Sequence, residues 1–186
     1  MKKLFIIAIA AILASCSNDG EVQSKYASYP ARFSYSPVAA CPSLQRACTG
    51  LGEFCIVDRP LDQQQRIRVR DNHGSSPDYI NPTALGNYSS IILGLGGSLI
   101  IGLPSLSELG SDQPVVTCYD GVCPNCYTSD HVTKQLVLNE GFAKCNKCER
   151  TYDLNSQGIV TSEHGGHTLY RYAVGFNGTG VYVSNN

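Results

Sequence analysis

Short runs of alternating apolar and polar residues follow one another along much of the chain. The clearest is residues 66–70, Arg-Ile-Arg-Val-Arg, where every second side chain is charged and the others are apolar. A period of two is typical of a β-strand with one buried face. Comparable short runs predict further strands at residues 54–57, 89–93, 98–103, 115–119, 135–139 and 151–154. The pattern therefore predicts a small antiparallel, all-β domain.

Local residue preferences predict a short helix and a C-terminal hairpin. Pro42 suits a first helical turn, Gly50 would end a helix, and the apolar residues between them share a face, so a short helix is expected at residues 42–49. Residues 169–176 are predicted as one strand, and Asn177-Gly178 is a hairpin-turn signal before a strand at 180–184. The large side chains of the first of these strands alternate onto one face: Tyr170, Tyr172, Val174 and Phe176.

The N-terminus has the organisation of a bacterial export signal. Lys2 and Lys3 precede an apolar stretch of about ten residues, well short of the ~20 needed to span a bilayer. The stretch ends in Leu13-Ala14-Ser15-Cys16, which resembles the lipobox of bacterial lipoproteins. That resemblance implies a signal peptide at residues 1–15 and a lipidated Cys16 that anchors the mature chain to the cell envelope, where we expect the outer membrane. The alternative is an ordinary secretory signal with a cysteine at the cleavage point by chance.

Removal of residues 1–15 would leave 171 of the 186 residues. We expect residues 16–33, which are polar with little periodicity, to form a flexible tether after the lipidated Cys16. Residues 34–186 would form the β-domain, with a metal-binding part at about 115–165. The formal net charge of −1 gives no indication of nucleic-acid binding. The sequence contains no nucleophile with a placed base, phosphate-binding loop or spaced carboxylate pair, so an enzyme is not expected.

Four of the nine cysteines form a spaced pattern. Cys123-Pro-Asn-Cys126 is followed, eighteen residues later, by Cys145-Asn-Lys-Cys148. A Cys-x-x-Cys turn places two thiolates on one edge of a tetrahedron while backbone N–H groups point at the sulfurs, and two such turns complete a four-cysteine site. A β-hairpin is expected between them, over residues 135–139 and 141–144. This spacing predicts a metal site at Cys123, Cys126, Cys145 and Cys148.

Two alternatives remain open at this stage. Outside the cytoplasm, facing Cys-x-x-Cys turns can form structural disulfides. A reactive dithiol is the other, but it usually opens a helix, whereas residues from Tyr127 onward are predicted as loop and strand. Of the remaining cysteines, Cys55 and Cys118 lie in apolar strands and are expected in the core. Cys41 and Cys48 could pair or simply pack.

The region after residue 80 combines three motifs. The run 115–120 precedes Cys123-Pro124, Cys145-x-x-Cys148 is followed by the Thr-Tyr-Asp-Leu strand at 151–154, and Leu169-Tyr170-Arg171-Tyr172 precedes a terminal hairpin. In this combination the region resembles the Rieske [2Fe–2S] domain. The whole chain looks like the Rieske-like lipoproteins of Bacteroidetes. The implied fold is all-β, with an antiparallel β base and a smaller metal-binding subdomain, similar to a zinc ribbon, inserted between base strands.

The sequence departs from the family at both ligand histidines. Rieske proteins carry Cys-x-His and Cys-x-x-His, whereas position 125 is Asn and position 148 is Cys. Histidine ligands raise the cluster potential to about −150 to +300 mV, against about −400 mV for four-cysteine plant-type clusters. Four thiolates should remove that high-potential role. They suit zinc, which needs no cluster assembly outside the cytoplasm, while the family leaves a [2Fe–2S] electron carrier as an alternative.

Two histidines remain as candidates for the surroundings of the metal. His164 and His167 lie in the segment that resembles the loop covering a Rieske cluster. Either could approach the metal or a sulfur, and the alternative is an exposed turn. The sequence does not identify a protein or redox partner.

Overall fold

The computed structural model describes residues 25–62, 64–162 and 165–185. The predicted signal peptide, Cys16, the first part of the tether and His164 lie outside these residues. Within them, no helix is long and apolar enough to cross a membrane. The described chain is mostly β-structure, and all of its paired strands run antiparallel. The predicted all-β class is therefore confirmed.

The largest sheet has six strands in the order β11-β6-β5-β2-β3-β4. Its central strand β2 (Glu53–Asp58) is covered on both faces, because Cys55 and Val57 contribute to one core while Phe54 and Ile56 contribute to a second. The other strands are β3 (Ile67–Asp71), β4 (Asp78–Ile80), β5 (Ser98–Leu103), β6 (Thr117–Asp120) and β11 (Arg171–Tyr172). The sheet is thus the middle layer of the molecule.

A smaller sheet and a helix cover one face of the six-stranded sheet. The sheet has the order β1-β13-β12, formed by β1 (Ala31–Tyr35), β12 (Val174–Phe176) and β13 (Val181–Asn185). Helix α1 (Pro42–Thr49) has the predicted bounds and buries Leu44, Ala47 and Cys48 in the same core. Strand β1 begins inside the segment predicted as tether, so the prediction of a flexible tether up to residue 33 is wrong for its last residues.

A four-stranded sheet covers the opposite face of the six-stranded sheet. It has the order β10-β9-β8-β7 and comprises β7 (Leu136–Asn139), β8 (Phe142–Cys145), β9 (Thr151–Asp153) and β10 (Ile159–Val160). Its apolar face packs with Ile56, Ile100 and Tyr119 of the six-stranded sheet. Residues 121–170, which contain this sheet, leave from β6 and return at β11, and β6 and β11 are paired neighbours. The sheet is therefore an insertion between two adjacent strands.

Two strand predictions are wrong. The run 169–176 is not one strand, because β11 belongs to the six-stranded sheet and β12 to the three-stranded sheet, with Ala173 between them. Residues 89–93 form no strand: Tyr88–Ser90 is a 3-10 helix, and Ile92 makes a single bridge to Arg32. Hydroxyl groups of Ser89 and Ser90 bond to Asn87, which favours a local turn over a strand.

Candidate metal centre

The two Cys-x-x-Cys turns come from different local structures. Cys123 precedes helix α2 (Pro124–Asp130), and Cys126 lies in the first turn of that helix. Cys145 ends β8, and Cys148 lies in the turn that follows it. The prediction of loop and strand from Tyr127 onward is therefore wrong for residues 127–130, because Pro124 begins a short helix that includes them. The left-handed residue His131 follows the helix, and loop and strand come after it as predicted.

The predicted hairpin between the two turns is confirmed. Strands β7 and β8 pair in a register that places Leu136 opposite Cys145, and Glu140 turns the chain with a positive φ of 51°. The backbone N–H of Cys123 bonds to the carbonyl oxygen of Lys134, just before β7. These contacts bring the first turn against the end of β8, where the second turn begins.

The four sulfurs converge on one point. The Sγ atoms of Cys123, Cys126, Cys145 and Cys148 all lie within 4.8 Å of one another. The closest pairs join the two turns, with 3.6 Å between Cys123 and Cys148 and 3.7 Å between Cys126 and Cys145. A tetrahedral ion with metal–sulfur bonds of about 2.3 Å has sulfur–sulfur edges of about 3.8 Å. The group therefore has the size of a four-thiolate metal site.

All eight cysteines of the described residues are free thiols. A disulfide needs a sulfur–sulfur distance of about 2.0 Å, much shorter than the two close distances at the site. The predicted core positions of Cys55 and Cys118 are confirmed, and Cys41 and Cys48 also pack in the large core. Of the alternatives for Cys41 and Cys48, the structure has packing rather than pairing.

Backbone N–H groups affect the ionisation of two of the sulfurs. The N–H of Cys126 acts to lower the pKa of Cys123, and the N–H of Arg150 acts to lower the pKa of Cys148. Burial raises the pKa of Cys123 and of Cys126. Burial also acts to raise the pKa of Cys148, but the backbone and side chain of Arg150 outweigh it and hold that pKa at about 6. Cys148, the least buried of the four, is thus the most readily ionised of these three.

Sequence reasoning missed three residues around the sulfurs. The hydroxyl of Tyr152 lies 3.1 Å from the Cys123 sulfur, and Asn125 donates a hydrogen bond of 2.9 Å to that hydroxyl. The third is Arg150, whose pKa is raised by its interaction with Cys148. A buried tyrosine or asparagine requires a hydrogen-bond partner, which is the only general signal that could have drawn attention to them.

His167 reaches the site through its backbone. Its N–H donates to Oδ1 of Asn125 at 2.9 Å, and its carbonyl oxygen accepts from Nδ2 of Asn125 at 3.0 Å. The His167 side chain is exposed and lies in a shallow cleft beside Lys25, Tyr26 and Ala27. His164 lies outside the described residues.

Helix α2 agrees with one feature of a reactive dithiol, because Cys123 directly precedes a helix. The other observations oppose that alternative. The sulfur paired with Cys123 belongs to Cys148 of the other turn, and the pKa of Cys123 is raised by burial, whereas a nucleophilic cysteine of this kind has a lowered pKa. The arrangement therefore suits four ligands better than one reactive pair.

No protein-family model matches the chain, and no match is found among curated proteins.

Proposed function

We propose that this chain is a non-enzymatic, lipid-anchored envelope protein in which Cys123, Cys126, Cys145 and Cys148 hold one zinc ion as a structural centre. The observation that carries the proposal is the convergence of four sulfurs from two turns within 4.8 Å. Tetrahedral thiolate ligation suits zinc, which carries no redox function of its own.

The compactness of the group favours one ion over a [2Fe–2S] cluster. A binuclear cluster binds two thiolates on each of two irons, so its two ligand pairs are separated by the metal–metal axis as well as by the metal–sulfur bonds. The sulfurs here form a single group with cross-turn distances of 3.6 and 3.7 Å. An electron carrier on the same cysteines is the alternative that metal analysis must exclude.

A structural role follows from where the sulfurs lie. Cys123, Cys126 and Cys145 are part of the second core, together with Leu136, Ala143, Tyr152 and Leu154. This core serves a sheet of four short strands, and small sheets of this kind often need a metal to remain folded. Zinc would link α2, β8 and the turn at Cys148 through metal–sulfur bonds, in addition to the apolar contacts of this core.

We further propose that the fold is Rieske-like. Support comes from the antiparallel β base, from the insertion of residues 121–170 between the paired strands β6 and β11, and from the two ligand turns within that insertion. The two positions at which Rieske proteins have histidine carry Asn125 and Cys148. We therefore propose that this chain shares the fold of Rieske proteins but holds a different metal centre.

The membrane anchor rests on the Leu-Ala-Ser-Cys16 sequence after the basic and apolar leader. Labelling with a radioactive fatty acid in a bacterial host should mark the full chain, and Cys16→Ala should abolish the label and release the protein from the membrane fraction. Cys41→Ala is the matched control and should retain both. Labelling that persists in Cys16→Ala would contradict the anchor.

Metal analysis of the full chain, purified in detergent, tests the centre directly. We expect one zinc per chain and no visible absorption. Two irons with acid-labile sulfide and a reducible visible spectrum would replace zinc with the electron carrier. One iron without sulfide would keep the ligand geometry but overturn the choice of metal. A metal-free chain without free thiols at the site would leave a disulfide-stabilised module.

A further inference from the structure

The side chain of Asn125 joins three parts of the metal centre. It lies between the ligands Cys123 and Cys126 and is 9% exposed. Its amide nitrogen donates to Tyr152 Oη and to the His167 carbonyl oxygen, while its oxygen accepts from the His167 N–H. Both amide protons and one oxygen lone pair are therefore used, and two of the three bonds hold the backbone of one residue.

The bond from Asn125 orients the Tyr152 hydroxyl. Because that oxygen accepts a hydrogen bond from Nδ2 of Asn125, its own proton is free to point at the Cys123 sulfur, 3.1 Å away. A hydrogen bond donated to a thiolate stabilises its charge and keeps the sulfur in one orientation. Asn125 thus acts on Cys123 through Tyr152.

A second contact fixes the same segment from the other ligand turn. Nε of Arg150 donates to the carbonyl oxygen of Gly165 at 2.8 Å, and the carbonyl oxygen of Arg150 accepts from the N–H of the ligand Cys145 at 3.0 Å. Residues 165–168, here called the strap, are therefore attached to both halves of the site. A Cβ at Gly166 would lie 2.2 Å from Oδ1 of Asn125, so the strap packs against that amide without room for a side chain.

We propose that Asn125 is a positioning residue that clasps the strap to the metal centre and so slows release of the metal. This inference rests on the proposed metal site and goes beyond it, because it assigns the lifetime of the bound ion to a residue that is not a ligand. Loss of outer contacts of this kind weakens metal binding about 10- to 100-fold in other sites. Without Asn125, the Tyr152 hydroxyl is no longer held toward the Cys123 sulfur, and the strap loses two of its hydrogen bonds.

Metal transfer to a chelator tests the clasp. The full-length, zinc-loaded chain is mixed with excess of a coloured zinc chelator, and the release rate is compared between wild type and Asn125→Ala. We expect release about tenfold faster or more in the variant, with one zinc per chain at the start. The exposed Asn146→Ala, in the other ligand turn, is the matched control and should release zinc at the wild-type rate.

A second variant approaches the clasp from the strap. Gly166→Ala leaves every ligand, Tyr152 and Asn125 in place but forces the strap away from the amide, and it should also release zinc faster. Hydrogen exchange at the His167 amide, which donates to Asn125, should accelerate in both variants while the six-stranded sheet stays protected.

Three results would overturn the clasp: release within twofold of wild type in both variants, unchanged exchange at His167, or equally fast release in Asn146→Ala. The fate of the proposed zinc site is read separately, from the metal content of the wild type. If Asn125→Ala fails to fold, the result for Gly166→Ala decides.

Discussion

Two groups of four cysteines occupy the two cores among the described residues, and they differ in how their sulfurs are arranged. Cys41, Cys48, Cys55 and Cys118 are dispersed through the large core, where burial raises the pKa of each. The four sulfurs beside the four-stranded sheet converge, and they include Cys123, which lies 3.1 Å from the Tyr152 hydroxyl, and Cys148, whose pKa is about 6. Burial is common to both groups. Convergence is what makes the second group a candidate metal site.

The largest contrast is expected from removing one cysteine of each group. Cys148→Ser should abolish metal binding and lower the free energy of unfolding by about 4 kcal/mol or more, as for other losses of a structural metal. Cys55→Ala, in the large core, should lower it by only about 1–2 kcal/mol, the effect of a small cavity. Metal content and denaturant unfolding measure both. Equal destabilisation by the two variants would remove the distinction between the groups.

Removing the metal should affect one sheet more than the other. When a strong chelator strips the zinc, we expect the amides of β7 to β9 to lose hydrogen-exchange protection, because three of the four sulfurs belong to their core. The amides of β2 and β5, which are covered on both faces of the six-stranded sheet, should stay protected. Uniform loss of protection across both sheets would show that the centre supports the whole fold.

The thiols should also differ in reactivity in the metal-free chain. The pKa of Cys148 is about 6, so its alkylation rate should rise from pH 5 to pH 7 and level off above, because the thiolate is the reactive form. Cys41 and Cys48, with pKa values raised by burial to about 11 and about 12, should stay unmodified over that range. Mass spectrometry after brief alkylation identifies the modified residue. Modification of Cys41 before Cys148 would contradict these pKa directions.

The smallest contrast concerns two buried tyrosines. Tyr152→Phe removes the hydrogen bond to the Cys123 sulfur and should speed zinc release several-fold, with a loss of stability of about 1–2 kcal/mol. Tyr172→Phe removes the hydrogen bond to the buried Asp120 and should lower stability comparably without changing the release rate. Release measured in parallel for the two variants separates an effect on the centre from a general loss of stability. Faster release in Tyr172→Phe would contradict the separation.

Local patterns were sufficient for several elements. The bounds of β5 and α1 match their predictions, because each has a strong local signal: a run of apolar residues in β5, and a proline start and glycine stop in α1. The strand β1 was missed although Ala31, Phe33 and Tyr35 alternate with polar residues and are buried. The strand was missed because residues up to 33 were predicted to belong to the tether.

Other features have no local signal. The segment 169–176 passes from the six-stranded sheet to the three-stranded sheet. The alternation of its large side chains continues across Ala173, so the sequence does not show where one strand ends and the next begins. The spacing of the cysteines predicted which four sulfurs converge, since ligand turns have a characteristic spacing. The bonds from Asn125 to Tyr152 and His167 span 27 and 42 residues, and only the folded chain brings these groups together.

The insertion of residues 121–170 begins and ends on two strands that pair directly, with Cys118 opposite Tyr172. Paired strands lie about 5 Å apart, so the two ends of the insertion lie close together, like the two ends of a loop. An attachment of this kind leaves the strand order of the six-stranded sheet independent of what lies between β6 and β11. Residues of the ligand turns, among them Asn125 and Cys148, can therefore change without a change in the strand order of that sheet.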